Sequence, residues 1–461
     1  MPDLLDAPTL SLIRRVLCAH APPTQPLSSL LPPITKHPDI DMQLYALLAI
    51  VCRDYIDTWY TGISSDREFI SEVVKVVADV VAEVERRVDG IDIPLLLLDE
   101  LPALVTRHIT DHRLAHARAG TVSHHTPAEL FHNLQPHPAL ASAEATQQYN
   151  KLLSHALLDA LLPVQKLQSP CARTFVRDLL AAMAVGGLVE KMSEPAMLHG
   201  LITSLLARPP SPPPPPPPAA PPPPPPPPEP RPLHHQQARA KTPSIRIPPA
   251  LESALSAMLL LLLGFKAFAV SLLHTLHTPP PPPPRPPRAK KPFLAMAAVR
   301  LLPVYLGVPL LQPWLWGILC LLLRPLTTGR IGAAVDGLIA DAVTGGLESS
   351  VVAEALWRAR GLLFPGNAPM GAGGAPVDVA AVRRRAVDVL VERVPEAVWG
   401  VWVGEDGDKE GRRRWVGEWC VDVWGDKEVN RHLWYAVLDL LVGRLVPELV
   451  EGPSVVKGKE G

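Results

Sequence analysis

The feature that most limits this chain is a stretch of nearly pure proline, Pro209 to Pro232, with unbroken runs at Pro212–Pro218 and Pro221–Pro228. Proline has no backbone N–H to donate and its ring fixes φ, so such a run can enter neither a helix interior nor a sheet ladder. In water it takes an extended, left-handed polyproline conformation. A second tract, Pro279 to Pro287, ends beside Arg288, Lys290 and Lys291. These tracts cut the sequence into 1–208 and 292–451, each with globular composition, separated by a disordered polyproline linker (209–250), a hydrophobic helix (251–278) and a proline-rich basic linker (279–291). A disordered tail is expected at 452–461.

Prolines number 57 in 461 residues, about 12% against an average near 5%. Outside the tracts the chain leans apolar, with 47% hydrophobic and 19% charged residues. A formal charge of −1 gives no global field to attract nucleic acid or an anionic bilayer, so any such attraction must be local. The five cysteines (18, 52, 171, 320 and 420) are isolated and show no metal-type spacing, which suits reduced thiols in a cytosolic setting. The N-terminal residues, with two acids before the first base, do not form a secretory leader.

Periodicity reads as helix throughout, so the expected fold class is all-α: two helical blocks with intervening disordered polyproline tracts. A long helix is expected from Asp39 or Asp41 to Tyr60. Another opens at Ser64 or Ser65, with Glu68 completing a capping box. Along this second helix Phe69, Val73, Val76, Val77, Val80, Val81, Val84 and Val88 recur at three- and four-residue steps. That period outweighs the strand preference of valine. Further helices are expected from Pro94 or Asp99 to Arg118, from Ser142 to Leu162, from Ser169 to Leu188 and from Ser193 to Arg208. The His-rich stretch 119–138 reads as a surface loop. Val398 to Gly404 is the best strand candidate, or else the end of a helix. The closing helix, about Lys427 to Leu449, should be capped by Asp426. It carries a broad apolar stripe of Leu433, Val437, Leu440, Leu441 and Leu445, which should be largely enclosed.

The cluster Arg53, Asp54, Tyr55, Trp59, Tyr60, Ile63, Ser64, Asp66 and Phe69 is long and ordered. It is followed by His108, Pro163, Arg173, Ser193 and Pro195. Together these residues resemble the PXA domain, the helical module found N-terminal to the PX domain in one branch of sorting nexins. Asn430, His432, Asp439 and Pro447 resemble the closing helix of the sorting nexin C-terminal (nexin C) domain. The resemblance implies two helical domains that combine into one elongated body with an apolar cavity for lipid. It also implies a location on the cytoplasmic face of endomembranes: endoplasmic reticulum, endosome or vacuole. No PX or RGS domain stands between the blocks, so phosphoinositide recognition does not carry over. The stripe of the closing helix can be enclosed within the second block alone or between both. In the second case Leu441→Asp should break their association.

Read without the family, these residues are structural before anything else. Arg53 and Asp57, four apart on a helix, should pair while Asp54 points elsewhere. His108, His112 and His116 share a helical face and could bind a metal, but lack the glutamate of a zinc-hydrolase motif; a packed or solvated face is the simpler reading. No nucleotide loop, nucleophile elbow or dinucleotide fingerprint occurs, so no enzyme and no cofactor are expected. The triplets Arg383–Arg385 and Arg412–Arg414 are too short for a nucleic-acid module and suit a solvated face or anionic headgroups.

Two segments raise the question of membrane insertion. Residues 257–273 carry a central Lys266, while 301–323 are free of charge and long enough to cross, but are interrupted by Pro303, Pro309 and Pro313. Each can insert, embed at an interface, or be buried in the helical core. The proline tracts are either stiff spacers or ligands for SH3, WW or profilin-type proteins. The expected function is therefore lipid binding or lipid transfer at organelle membranes, with phospholipid or a membrane surface as partner. The alternative is a membrane tether or trafficking scaffold that recruits proteins through its proline tracts.

Overall fold

The computed structural model describes most of residues 7–206 and 291–451. Residues 207–290 and 452–461 lie outside the description, as do shorter stretches, chiefly 163–173, 325–335, 340–348, 369–377 and 400–407. Every extended element among the described residues is helical.

In the first block α1 (Ala7–Leu17) buries Leu12, Ile13, Val16 and Leu17 and keeps Arg14 and Arg15 at its polar end. α2 (Pro38–Val51) starts one position before the expected cap. His37 is its N-cap, and Pro38 takes the first turn, where no intrahelical N–H is needed. Asp41 points back to accept from the Ile34 and Thr35 N–H groups at 3.3 and 2.7 Å. α2 runs through a π-turn, Cys52–Ile56, into Asp57–Tyr60. The valine-rich stretch forms α3 (Glu68–Val88), as its period requires; the Ser65 cap lies outside the described residues. α4 (Leu101–Arg118) and α6 (Ala143–Leu161, capped by Ser142) follow the expected spans.

The expected loop 119–138 contains a helix instead, α5 (Pro127–Leu134). Thr126 and Glu129 form a full capping box, and Phe131 is completely buried. Histidines and polar residues mask its apolar side, which is only two turns long. A bend at Glu194 separates α7 (Leu188–Ser193) from α8 (Pro195–Leu206).

The second block comprises α9 (Ala297–Tyr305), α10 (Val308–Leu311), α11 (Pro313–Leu323), α12 (Ser349–Leu363), α13 (Val379–Arg393), α14 (Lys409–Val416) and α15 (Lys427–Leu445). Asp426 caps α15 by accepting from the Glu428 and Val429 N–H groups. The apolar run 301–323 is divided among three helices. No described helix is long and apolar enough to cross a membrane; residues 257–273 lie outside the description. Of the strand candidate 398–404, Trp399 is helical and buried; the rest falls outside the described residues.

The described residues of 7–206 and 291–451 belong to one compact unit, and each of its apolar clusters draws side chains from both blocks. Ile109 and Leu198 pack with Val423, Trp424 and Leu433. Ala115 and Phe131 meet Val429, Val189 and Ala139 meet Tyr435, and Phe364 joins the core built by α1 and α2. α8 lies along α13, α4 along α9 and α2 along α12. The stripe on α15 is thus enclosed between the blocks at its N-terminal half.

Candidate functional site: an apolar groove closed by both blocks

Six of the sequence-motif residues, Arg53, His108, Ser193, Asn430, His432 and Asp439, make contacts across the seam between the blocks. Arg53 and Asp54 sit on the π-turn. That turn holds an extra residue, which shifts the side-chain register, so Arg53 pairs with Asp54 (Nε–Oδ1 2.6 Å) and not with Asp57. The same guanidinium donates to the Asn367 carbonyl of the second block at 2.7 Å. Tyr60 stacks on Phe69 at 4.9 Å and Trp59 meets both edge-on. Ser64 closes the turn with its N–H on the Tyr60 carbonyl. Ser193 is buried, and its main-chain carbonyl accepts from Asn430. Pro195 opens α8. Asp439 accepts from Tyr149 and faces His137 Nε2 at 3.0 Å, while Pro447 is exposed beyond α15. Asp66, Pro163 and Arg173 lie outside the described residues.

The three histidines do not act as a set. His108 is fully buried, stacked on Trp424 at 5.4 Å and edge-on to Phe131. Burial, reinforced by His112 and His432, pushes its pKa down to about 3. His112 is held at about 4, mainly by burial. His432, wedged between Phe131 and His132, is also held at about 4, chiefly by burial. No group of metal-ligating side chains comes together among the described residues. Within the arginine triplets, Arg383 pairs with Asp422, Arg384 with Asp378 and Arg413 with Asp388, and Arg412 lies over the Trp399 ring.

Arg113 is a further residue of the seam. Half-buried, it donates to the Val304, Tyr305 and Trp419 carbonyls at 2.6, 2.7 and 2.9 Å.

Past the enclosed part of α15 the two blocks separate to leave a cavity of about 510 Å³. Leu188, Val189 and Met192 of α7 and Met197, Leu201 and Leu205 of α8 form one wall. Val351, Ala355, Ala359 and Leu362 of α12 form another, and Trp434, Val437, Leu438 and Leu441 of α15 form the floor. Leu441 belongs here. It is 42% exposed, so the enclosure expected for most of the stripe does not reach this residue. Leu188, Leu205 and Val351 are also open to solvent. Among the lining residues only Ser204, Glu354 and Arg358 are polar; Glu354 and Arg358 pair one turn apart at 2.5 Å on the rim. Such a volume lies within the usual range of ligand pockets, ~300–1,000 Å³.

Residues 37–205 match the family model of the PXA domain. PXA domain protein 1 of Schizosaccharomyces pombe is 29% identical over 164 residues, which are 35% of this chain and 33% of that protein. Human Sorting nexin-19 is 24% identical over 190 residues, 40% of this chain and 19% of that protein. Human Sorting nexin-25 is 22% identical over 161 residues, covering 34% and 18%. The matches thus span a third or less of each relative. No solved structure shows a significant match.

Proposed function

We propose that this chain, a PXA-domain protein similar over that domain to sorting nexins, binds membrane lipid without catalysing a covalent step. One acyl chain lies in the groove between α7, α8, α12 and α15. The groove itself carries this reading: an open cavity of about 510 Å³ whose walls are apolar apart from three polar residues. Leucines left open in water cost on the order of 25 cal/mol per Å², and a bound chain recovers ~0.8 kcal/mol per buried methylene. At the rim, Arg358 would exchange its pairing with Glu354 for the phosphate of a headgroup. In this reading the second block acts as a nexin C-like domain whose α12 and α15 complete a site that the PXA domain cannot build alone. The setting is a peripheral one, on the cytoplasmic face of an endomembrane. The proline tracts lengthen the reach of the unit or dock SH3, WW or profilin-type proteins.

Native mass spectrometry of the full chain purified from cells tests this. A stoichiometric glycerophospholipid is expected, and Leu205→Asp with Leu441→Asp should remove it while the fold stays intact. A lipid-free protein that still bridges vesicles would sink the proposal and leave a tether or scaffold as the better reading.

A further inference from the structure

Away from the groove, α10 and α11 expose an apolar face. Leu310 is 65%, Trp314 62%, Ile318 47% and Leu321 67% exposed. On α11 the last three are spaced i, i+4 and i+7, so they form one stripe. Gly317, beside that stripe, has no side-chain or neighbouring atom within 4 Å of where a Cβ would stand. None of these residues lines the groove.

This face sits on a firmly held base. α9 is fixed to α4 by the Arg113 hydrogen bonds to Val304 and Tyr305. Gly307 turns the chain in the left-handed region at φ +69°, and an added Cβ there would stand 3.0 Å from the Trp419 ring. Only glycine makes this turn so close to the indole. The exposed stripe is therefore presented at a fixed angle.

We infer that α10 and α11 dock the protein onto an anionic lipid bilayer, with Leu310, Trp314, Ile318 and Leu321 entering the interface. Four observations select a bilayer. From Leu301 to Leu323 the chain holds no Asp, Glu, Lys, Arg or His, so almost nothing polar is present to set a register against a protein partner. Exposed Arg300 and Arg324 bracket the run, a charge arrangement complementary to lipid phosphates. Trp314 and Trp316 are of the residue type enriched at headgroup level. The eleven residues of α11 reach ~16 Å, about half of the ~30 Å hydrocarbon core, so they can enter one leaflet but not cross.

Flotation of the full chain with phosphatidylcholine–phosphatidylserine vesicles tests the inference. A combined Trp314→Glu, Ile318→Glu and Leu321→Glu variant should lose at least tenfold in vesicle-bound fraction, and the wild type should bind pure phosphatidylcholine more weakly. Circular dichroism and uptake of a fluorescent phospholipid monomer should be unchanged in the variant, since the stripe is exposed and separate from the groove. The uptake measurement also keeps a failure here distinct from a failure of the groove. Equal flotation of variant and wild type would overturn the inference. So would a wild type that ignores vesicles, or a variant whose sole change is dissociation of a dimer, which would make a second copy of the chain the occupant.

Discussion

The side-chain amide of Asn430 donates to the main-chain carbonyls of Ser193, 237 positions away, and of Trp424, at 3.1 and 3.0 Å, with Asn430 wholly buried. One residue thus ties the end of α7 to both the start of α15 and the turn before it. The two blocks meet at this point.

Replacing Asn430 by Leu should be costly, because it leaves two buried carbonyls without donors. Each orphaned group costs ~1–3 kcal/mol, so the expected loss is about 2–4 kcal/mol in urea unfolding, well above the ~0.5 kcal/mol of a surface change. A loss under 1 kcal/mol would show that the carbonyls find water or other partners.

The two blocks, 1–206 and 288–461, should co-purify when expressed as separate chains without the linker, since every apolar cluster is shared. Leu433→Asp, which places a charge in the buried cluster of Ile109, Leu198 and Trp424, should abolish that association. Leu441→Asp, on the groove floor, should spare it and impair only lipid retention. The reverse pattern in a pull-down would mean that the groove is closed in solution.

Arg53→Ala should destabilise more than Asp57→Ala. The Asp54 side chain is only 6% exposed beside Arg53, and removing one partner of a buried pair costs up to ~3–5 kcal/mol. A double-mutant cycle should give a coupling above ~1 kcal/mol for Arg53 with Asp54 and near zero for Arg53 with Asp57. Equal coupling would place the register back on a regular α-helix.

Acid should loosen the seam before carboxylates titrate. His108, His112 and His432 are held at about 3, 4 and 4 against an ordinary 6.5. The groups around them are His116, Arg113, Asp422 and Asp426 beside His112, and His132, His137 and Arg431 beside His432. Between about pH 4 and 6.5 the unfolded chain binds more protons than the folded one, so stability is full above 6.5 and falls as pH drops. Each site contributes ~1.4 kcal/mol per pH unit, or up to about 4 kcal/mol for the three at pH 5.5. Thermal melts from pH 7.5 to 5 should show this decline, and His432→Phe should flatten it. A flat profile in the wild type would place these imidazoles in water.

What the sequence determined by itself was local. The proline tracts marked off two blocks, valines at helical spacing formed α3, and Ser142 and Asp426 capped α6 and α15 where their positions indicated, because helix periods and caps depend on neighbours within a few residues. Of the motif residues, His108, Ser193, Asn430 and His432 are buried, whereas Trp59, Asp439 and Pro447 are exposed. Three things needed the tertiary structure. Asp54 replaced Asp57 as the partner of Arg53 because a π-turn moved the register by one residue. Phe131 made a helix of an expected loop because a core waited for it in His108 and in Val429, the latter far along the chain. The groove exists because helices from both blocks diverge beyond Leu433, leaving Leu441 at an opening and not in a core. A stripe of leucines specifies that apolar contact is needed, but whether a helix, a lipid or water meets each leucine depends on where distant segments stop.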